Sequence, residues 1–212
     1  KLIIKCTDYE LNIINYMVAL KKKIEFNYCE KKDIGVFDKG KKIELDIKHF
    51  YNNRAFALTE LNKEDANIDG MGSFLLKSQK EYRSEIIKDR KYDNIVCCEQ
   101  KIVIDEQIKK IFIVGTCDSG AYYGNLGIFY DDGILENKLI GFGEWRFEKC
   151  ELGEKVVWKG ERVCFGKLCI EEQGYIFEYK LDDFRNVKIK KIMLPKNKHI
   201  HIFKIFFIKG ER

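Results

Sequence analysis

Apolar and polar residues alternate with a period of two along most of the chain after residue 40. This period places successive side chains on opposite faces of an extended strand, so it predicts β-structure rather than helices. No helical pattern of about 10 to 15 residues separates the strands, which favours an all-β, antiparallel sandwich or barrel over a parallel βαβ sheet. The predicted strands are Ile43–Ile47, Ile102–Asp105, Lys109–Cys117, Leu126–Tyr130, Lys138–Phe142, Lys155–Trp158, Arg162–Phe165, Tyr175–Lys180, Val187–Leu194 and His199–Ile208.

Short segments with turn-forming residues separate these strands and predict the connections between them. They are Asp69-Gly70, Asp118-Ser119-Gly120, Asp131-Asp132-Gly133, Lys159-Gly160, Gln173-Gly174 and Pro195-Lys196-Asn197. The first 40 residues show a less regular pattern that ends at a turn signal, Asp38-Lys39-Gly40. We therefore predict an N-terminal β segment over residues 1–40, which can be the end of a preceding domain, and a β-sandwich domain over residues 41–212. Because the sequence begins at Lys1, we expect it to be a piece of a longer protein.

Composition and charge exclude several classes of protein. Apolar residues make up 45% and charged residues 34% of the 212 residues, as in ordinary globular chains. No apolar run approaches the roughly 20 residues of a membrane-spanning helix, so we expect no membrane partner. The net charge is +5, but only seven of the 39 basic residues are Arg. Lysine lacks the planar fork that grips phosphates and base edges, so the excess predicts a solvated surface and no nucleic-acid partner.

Eight cysteines occur without a C-x-x-C pair. A chain of this length needs no disulfide scaffold, and the adjacent Cys97 and Cys98 would point to opposite faces of a strand. Most are therefore interpreted as buried thiols, which favours a reducing compartment such as the cytoplasm. The spacing of Cys164 and Cys169, with no second ligand pair nearby, does not predict a structural zinc site.

From residue 43 onward, a series of short segments resembles the galactose-binding-like jelly-roll modules that are appended to bacterial glycoside hydrolases. The segments are Ile43–Asp46, Phe50–Arg54, Ala66–Gly72, Tyr92–Val96, Gln100–Ile102, Ile113–Thr116 with Gly120, Ile128–Gly133, Gly143–Trp145, Ile192–Pro195 and His201–Phe203. The resemblance covers about three quarters of the chain. It implies a jelly-roll β-sandwich that binds glycan or packs against a catalytic domain of the same chain.

Two clusters carry the residue types that sugar binding requires, namely aromatic rings for stacking on C–H surfaces and planar polar groups for hydroxyl pairs. The first contains Tyr122, Tyr123 and Asn125, directly after the predicted Asp118-Ser119-Gly120 turn. The second contains Trp145 and Arg146, at the end of the strand that begins at Lys138. For each cluster the alternative is ordinary packing: one tyrosine inside the sheet and one capping it, and the tryptophan in the core or at its rim.

Two further groups could hold a metal. Asp65 and Asp69 flank an amide, Asn67, and precede Gly70. The EF-hand pattern is absent, but the resemblance implies a structural calcium held by loop carboxylates and carbonyls; a plain Asp-Gly turn is the alternative. His199 and His201 are two residues apart on a predicted strand and therefore share a face, so they could chelate a metal. The alternative is a pair of surface or edge-strand histidines.

No segment carries a motif that fixes a catalytic role: the phosphate-binding glycine loops and the G-x-S-x-G nucleophile turn are absent. The sequence therefore predicts a non-catalytic accessory module of a larger carbohydrate-active protein. Two alternatives stay open. One is a structural domain with no ligand, which could form a homo-oligomer, and the other is a stand-alone glycoside hydrolase.

Overall fold

The computed structural model of the chain describes residues 41–57, 66–70, 72–75, 92–164 and 172–210. Within these residues the protein is all-β and consists of two sheets, as the alternating pattern predicted. The predicted N-terminal β segment, residues 1–40, lies outside the described residues, and so does Asp65. The strands are β1 Ile43–Glu44, β2 Phe56–Ala57, β3 Gly72–Leu75, β4 Ile95–Val96, β5 Lys101–Glu106, β6 Ile108–Cys117, β7 Tyr122–Tyr130, β8 Leu135–Phe142, β9 Lys155–Cys164, β10 Glu172–Leu181, β11 Ile189–Met193 and β12 Ile200–Lys209; a single 3-10 turn covers Lys48–Phe50.

The larger sheet has eight strands in the order β1-β12-β6-β10-β9-β3-β2, with β4 also paired to β12. The smaller sheet has four strands in the order β5-β11-β7-β8. All described strand pairs are antiparallel except β2 with β3. Among the described residues no helix is long and apolar enough to cross a membrane.

The core lies between the two sheets and continues on the other face of the larger one. Ile113 and Phe177 belong to the cluster that also holds Ile128 and Ile192 of the smaller sheet. Their chain neighbours Val114 and Ile176 point the opposite way, into a second cluster. The central strands of the larger sheet are therefore buried on both faces, which explains why they contain continuous apolar runs instead of a strict alternation.

The β6–β7 and β7–β8 connections confirm the predicted turns at Asp118-Ser119-Gly120 and Asp131-Asp132-Gly133. Ser119 and Gly133 adopt positive φ angles of 55° and 86°. In the second turn the Gly133 backbone nitrogen donates to the Tyr130 carbonyl. Short polar residues and glycine tolerate this left-handed backbone, which is why these tripeptides were informative.

Two predicted turns are wrong. Lys159-Gly160 and Gln173-Gly174 lie inside the long strands β9 and β10, where Gly160 pairs with Gly174. These glycines allow aromatic rings to pack directly against the strand backbone. A Cβ atom at Gly160 would lie 2.1 Å from the Trp158 ring, and one at Gly174 would lie 2.6 Å from the Phe74 ring. Two strands were predicted here, Lys155–Trp158 and Arg162–Phe165, but the described residues 155–164 form the single strand β9; Phe165 lies outside the described residues.

Candidate binding cleft and histidine network

A cleft of about 360 Å³ opens on the outer side of the smaller sheet, where β7 and β8 meet the loop after β11. Its lining combines one aromatic ring with amides, a carboxylate and an ammonium group. The lining residues are Glu99, Tyr123, Gly124, Asn125, Asn137, Met193, Leu194, Pro195, Lys196 and Asn197.

Local packing brings the loop after β11 against β7. Pro195 occupies the space that a side chain at position 124 would fill, because a Cβ atom there would lie 2.5 Å from the Pro195 Cβ atom. The Asn197 side-chain nitrogen donates to the Tyr123 carbonyl at 3.4 Å. Gly124 thus allows the loop to pack closely, and Asn197 ties it to β7.

Tyr123 and the two strand amides point away from the core. Tyr123 is 47% exposed, and its ring covers Gly141 on the neighbouring strand, since a Cβ atom at Gly141 would lie 2.8 Å from it. Asn125 lies two residues further along β7, and Asn137 pairs across to Gly127, so both are exposed on the same face. An accessible ring beside two amides offers a stacking surface and donors and acceptors in one place.

Tyr122 lies on the other side of the same strand and does not line the cleft. Its ring stacks on the His199 ring, with centroids 4.9 Å apart and planes 14° from parallel, and it packs against the core between the sheets. Its hydroxyl donates to the Ser119 carbonyl at 3.4 Å. Of the two adjacent tyrosines, one therefore packs inward and the other faces solvent.

Asp118 joins both histidines in one hydrogen-bonded network. Its Oδ1 atom lies 2.5 Å from His199 Nδ1, and its Oδ2 atom lies 3.2 Å from His201 Nε2. Strand pairing explains the meeting, because β6 and β12 are neighbours and His201 pairs with Thr116, two residues before Asp118. The histidines share a face as predicted, and both contact the Asp118 carboxylate. His201 is only 1% exposed, whereas the His199 side chain is 33% exposed.

The network continues inward through two further buried polar residues. The Asn94 side-chain nitrogen donates to the Asp93 carboxylate at 2.8 Å and to the Asn53 side-chain oxygen at 3.0 Å. Its oxygen therefore faces His201 Nδ1, 3.0 Å away, and must accept a hydrogen bond from it. Asn94 and Asp118 thus hold the two ring nitrogens of His201 from opposite sides.

The two carboxyl groups of the network titrate differently. Burial by itself would raise the pKa of Asp118, but the hydrogen bonds from His201 and His199 outweigh it and leave this pKa below its ordinary value. For Asp93 burial dominates and raises the pKa, although the backbone nitrogens of Ala55 and Phe56 donate to its carboxylate at 2.9 and 3.0 Å. The hydrogen bonds from the two histidines thus favour the ionised form of Asp118.

Among the described residues no serine, threonine or cysteine side chain hydrogen bonds to either histidine. The nearby thiol of Cys117 is buried, and burial raises its pKa to about 12. A thiol with this pKa stays protonated and is a poor nucleophile at neutral pH. The network therefore holds the strand ends and the 195–199 loop in place, and it has the composition of a structural cluster.

The second predicted cluster, Trp145 and Arg146, is not brought to the cleft. Trp145 is fully buried and packs edge-on against Phe74, with ring centroids 5.2 Å apart. Arg146 forms ion pairs with Glu144 and with Asp69, the latter at 3.8 Å. Neither side chain presents a free surface for stacking or for hydroxyl groups.

Asp69 is engaged by donors on both carboxylate oxygens. Oδ2 accepts from the Trp145 indole nitrogen at 2.9 Å, and Oδ1 accepts from the Gly72 backbone nitrogen at 3.1 Å. Arg146 also lies beside this carboxylate, which anchors the tryptophan to the turn at residues 67–70. No group of three or more His, Cys, Asp or Glu side chains in the described part of the chain is arranged to hold a metal.

Sequence reasoning missed part of the cleft and most of the network. Asn137, Asn197 and Glu99 reach the cleft from three separate segments, and no local motif links them to Tyr123. For the network, the spacing of His199 and His201 indicated a common face, but the pairing of β12 with β6 was needed to identify Asp118 as their partner.

Comparison with known proteins adds no identity to this geometry. No protein-family model matches the chain, and no curated protein matches it. The resemblance to galactose-binding-like modules therefore remains a prediction, and the functional argument rests on the cleft.

Proposed function

We propose that this chain contains a non-catalytic accessory module of the galactose-binding-like, jelly-roll kind, which binds a carbohydrate in the cleft around Tyr123. The observation that carries the proposal is the exposed tyrosine ring beside the amides of Asn125 and Asn137. A pyranose ring places its C–H face on an aromatic ring while its hydroxyl groups pair with planar amides. The cleft volume of about 360 Å³ is sufficient for a mono- or disaccharide.

The charge of the cleft supports binding rather than hydrolysis. Glu99 is the one acidic residue among the described lining residues. Glycoside hydrolysis uses two carboxyl groups, about 5 to 9.5 Å apart, on either side of the scissile bond. A single carboxylate beside Lys196, whose Nζ atom lies 3.9 Å away, serves instead as a hydrogen-bond acceptor for hydroxyl groups. An accessory role places the catalytic domain elsewhere in a larger carbohydrate-active protein.

The proposal is tested by screening the purified chain on a glycan array and measuring the soluble hits by isothermal titration calorimetry. We expect Tyr123→Ala to weaken binding by about tenfold or more, because the stacking surface is lost. Tyr92→Ala is the matched control, since Tyr92 is also an exposed tyrosine but lies outside the cleft. Absence of binding to every glycan at millimolar concentration, or equal losses in the two variants, would refute the proposal.

A further inference from the structure

The strand β8 lies at one edge of the smaller sheet, and on one of its two sides the described part of the chain places no strand. Within the described residues β8 pairs with β7 alone. No other described backbone segment hydrogen bonds to residues 135–142. Such an edge offers a row of unpaired backbone donors and acceptors to another strand.

The hairpin geometry identifies which residues carry these free groups. Tyr130 donates its backbone nitrogen to the Ile134 carbonyl, and bonded pairs recur at every second residue of an antiparallel ladder. The register then places Glu136 and Lys138 in bonded pairs with β7. The N–H and C=O groups of Leu135, Asn137 and Leu139 consequently point to the open edge.

The sequence of this edge, Leu135-Glu136-Asn137-Lys138-Leu139, is complementary to itself when it is reversed. We propose that two copies of this chain form a symmetric dimer by antiparallel pairing of their β8 strands about a two-fold axis at Asn137. In this register Leu135 lies opposite Leu139 of the partner subunit, and the two Asn137 residues lie opposite each other. The outward N–H and C=O groups then meet their counterparts and form reciprocal bonds.

Exposure and charge both favour this register. Leu135 and Leu139 are 49% and 50% exposed, and pairing places four leucines side by side on the outer face of a continuous eight-stranded sheet. Glu136 lies opposite Lys138 of the partner subunit, so each of these side chains gains a neighbour of opposite charge. Within one chain the two side chains already form an ion pair at 3.0 Å on the inner face of the strand, where Glu136 also accepts from the Tyr130 hydroxyl and Lys138 donates to the Asp183 carbonyl.

The opposite edge of the smaller sheet, strand β5, is not suited to the same pairing with a second copy. On β5 the segment Lys101–Asp105 also has opposite charges at its ends, and Val103 is 74% exposed. However, the β5–β11 register shifts beyond Val103, and Asp105 has a positive φ angle of 54°. This bulge twists the strand away from a regular ladder, which protects an edge from pairing.

The expected contact is small. It consists of the bonds of three residues from each copy and of two leucine pairs, so we expect a reversible dimer of micromolar affinity. The dimer does not depend on carbohydrate binding. Because Asn137 also lines the cleft, however, pairing would bring the two clefts close to the two-fold axis.

The first test is sedimentation velocity on the chain across the micromolar concentration range, where we expect the apparent mass to rise toward that of a dimer. Glu136→Lys alone or Lys138→Glu alone places like charges opposite each other and should weaken association by more than about tenfold. The double swap Glu136→Lys/Lys138→Glu restores opposite charges and should restore the dimer. A wild-type chain that stays monomeric at the highest concentration would overturn the proposal.

The second test does not depend on the charged residues. Asn137→Cys places two thiols across the axis with Cα atoms about 5.5 Å apart, within disulfide range. Mild oxidation should link two chains, and peptide mass spectrometry should locate the disulfide at position 137 in both. Val103→Cys on β5 is the matched control and should not link through position 103. Equal linkage in the two variants, or none at position 137, would contradict the proposed register.

Discussion

Two clusters that look alike in the sequence occupy opposite environments in the folded protein. Both Tyr122–Asn125 and Glu144–Arg146 join an aromatic residue to polar neighbours near a strand end. In the first, the Tyr123 ring remains exposed beside the amides of Asn125 and Asn137. In the second, Asp69 accepts from the Trp145 indole and pairs with Arg146, and the Trp145 ring is fully buried. Polar neighbours therefore show that an aromatic residue has partners, but not whether those partners leave its face accessible.

The two clusters should differ most in how far removal of their aromatic residue lowers the free energy of unfolding. Trp145→Ala deletes a fully buried side chain that packs on Phe74 and leaves the Asp69 carboxylate without its indole donor. We expect it to lower the free energy of unfolding by about 4 kcal/mol. Urea denaturation followed by circular dichroism measures this change, and a loss below about 1 kcal/mol would show that Trp145 is not a core residue.

The network below the tyrosine cluster should give the next largest effect. Asp118→Asn removes the carboxylate that both histidines contact, and we expect the free energy of unfolding to fall by about 3 kcal/mol at neutral pH. The sign of the pH dependence follows from the lowered pKa of Asp118 in the folded state. Its stabilisation is present above its unfolded pKa and disappears as the pH falls through the folded pKa.

The difference between wild type and Asp118→Asn should consequently shrink as the pH is lowered below about 3.8. Denaturation of both proteins at a series of acidic pH values measures this convergence. Glu99→Gln is a suitable control, because it also neutralises one carboxylate but at the exposed cleft. A difference that stays constant down to the acid limit would exclude an ionised Asp118 as the source of the stabilisation.

A smaller loss of stability is expected when a methyl group is added at Gly174, where the strand backbone packs against the Phe74 ring. Gly174→Ala would place a methyl group 2.6 Å from the Phe74 ring, so the ring or the strand must shift. We expect a loss of about 2 kcal/mol. Gly133→Ala is an instructive comparison, because nothing lies within 4 Å of its Cβ position and its cost comes from the positive φ angle instead. Adding Phe74→Leu should recover part of the stability lost in Gly174→Ala but none of that lost in Gly133→Ala. Thermal unfolding of both variants, with and without Phe74→Leu, therefore separates steric crowding from backbone strain.

The smallest effect on stability is expected at the exposed tyrosine. Tyr123→Ala should change the free energy of unfolding by no more than about 0.5 kcal/mol, because the ring lies on the surface of the sheet. The same substitution is expected to reduce carbohydrate binding, so it separates function from folding. A loss comparable to that of Trp145→Ala would mean that Tyr123 is a packing residue like Trp145.

Much of the strand pattern was readable from the sequence because the outer strands alternate, the central strands form short apolar runs, and the turns at Ser119 and Gly133 use residues that tolerate positive φ angles. The short strands β2, β3 and β4 were missed, since two to four residues show no measurable period. Gly160 and Gly174 were misinterpreted because a glycine that permits close packing has the same appearance in a sequence as one that permits a turn.

The candidate site was predictable only in part. Tyr123 and Asn125 were identified because they directly follow the predicted Asp118-Ser119-Gly120 turn and carry the right chemistry, although they lie within β7 and not before it. Their partners Asn137 and Asn197 come from other segments and depend on strand pairing and loop packing. The spacing of His199 and His201 likewise indicated a shared face but not the Asp118 carboxylate between them.

The order of residues alone thus determined that this chain forms antiparallel sheets, since side-chain alternation and turn chemistry act over a few neighbouring residues. Only the tertiary structure decided which aromatic residue is buried, which carboxylate is paired with a cation and which strand edge has no partner among the described residues. These outcomes depend on long-range pairing, through which Asp69 reaches Trp145 and Asp118 reaches His201. A side chain's chemistry is local, but its accessibility is a property of everything that packs around it.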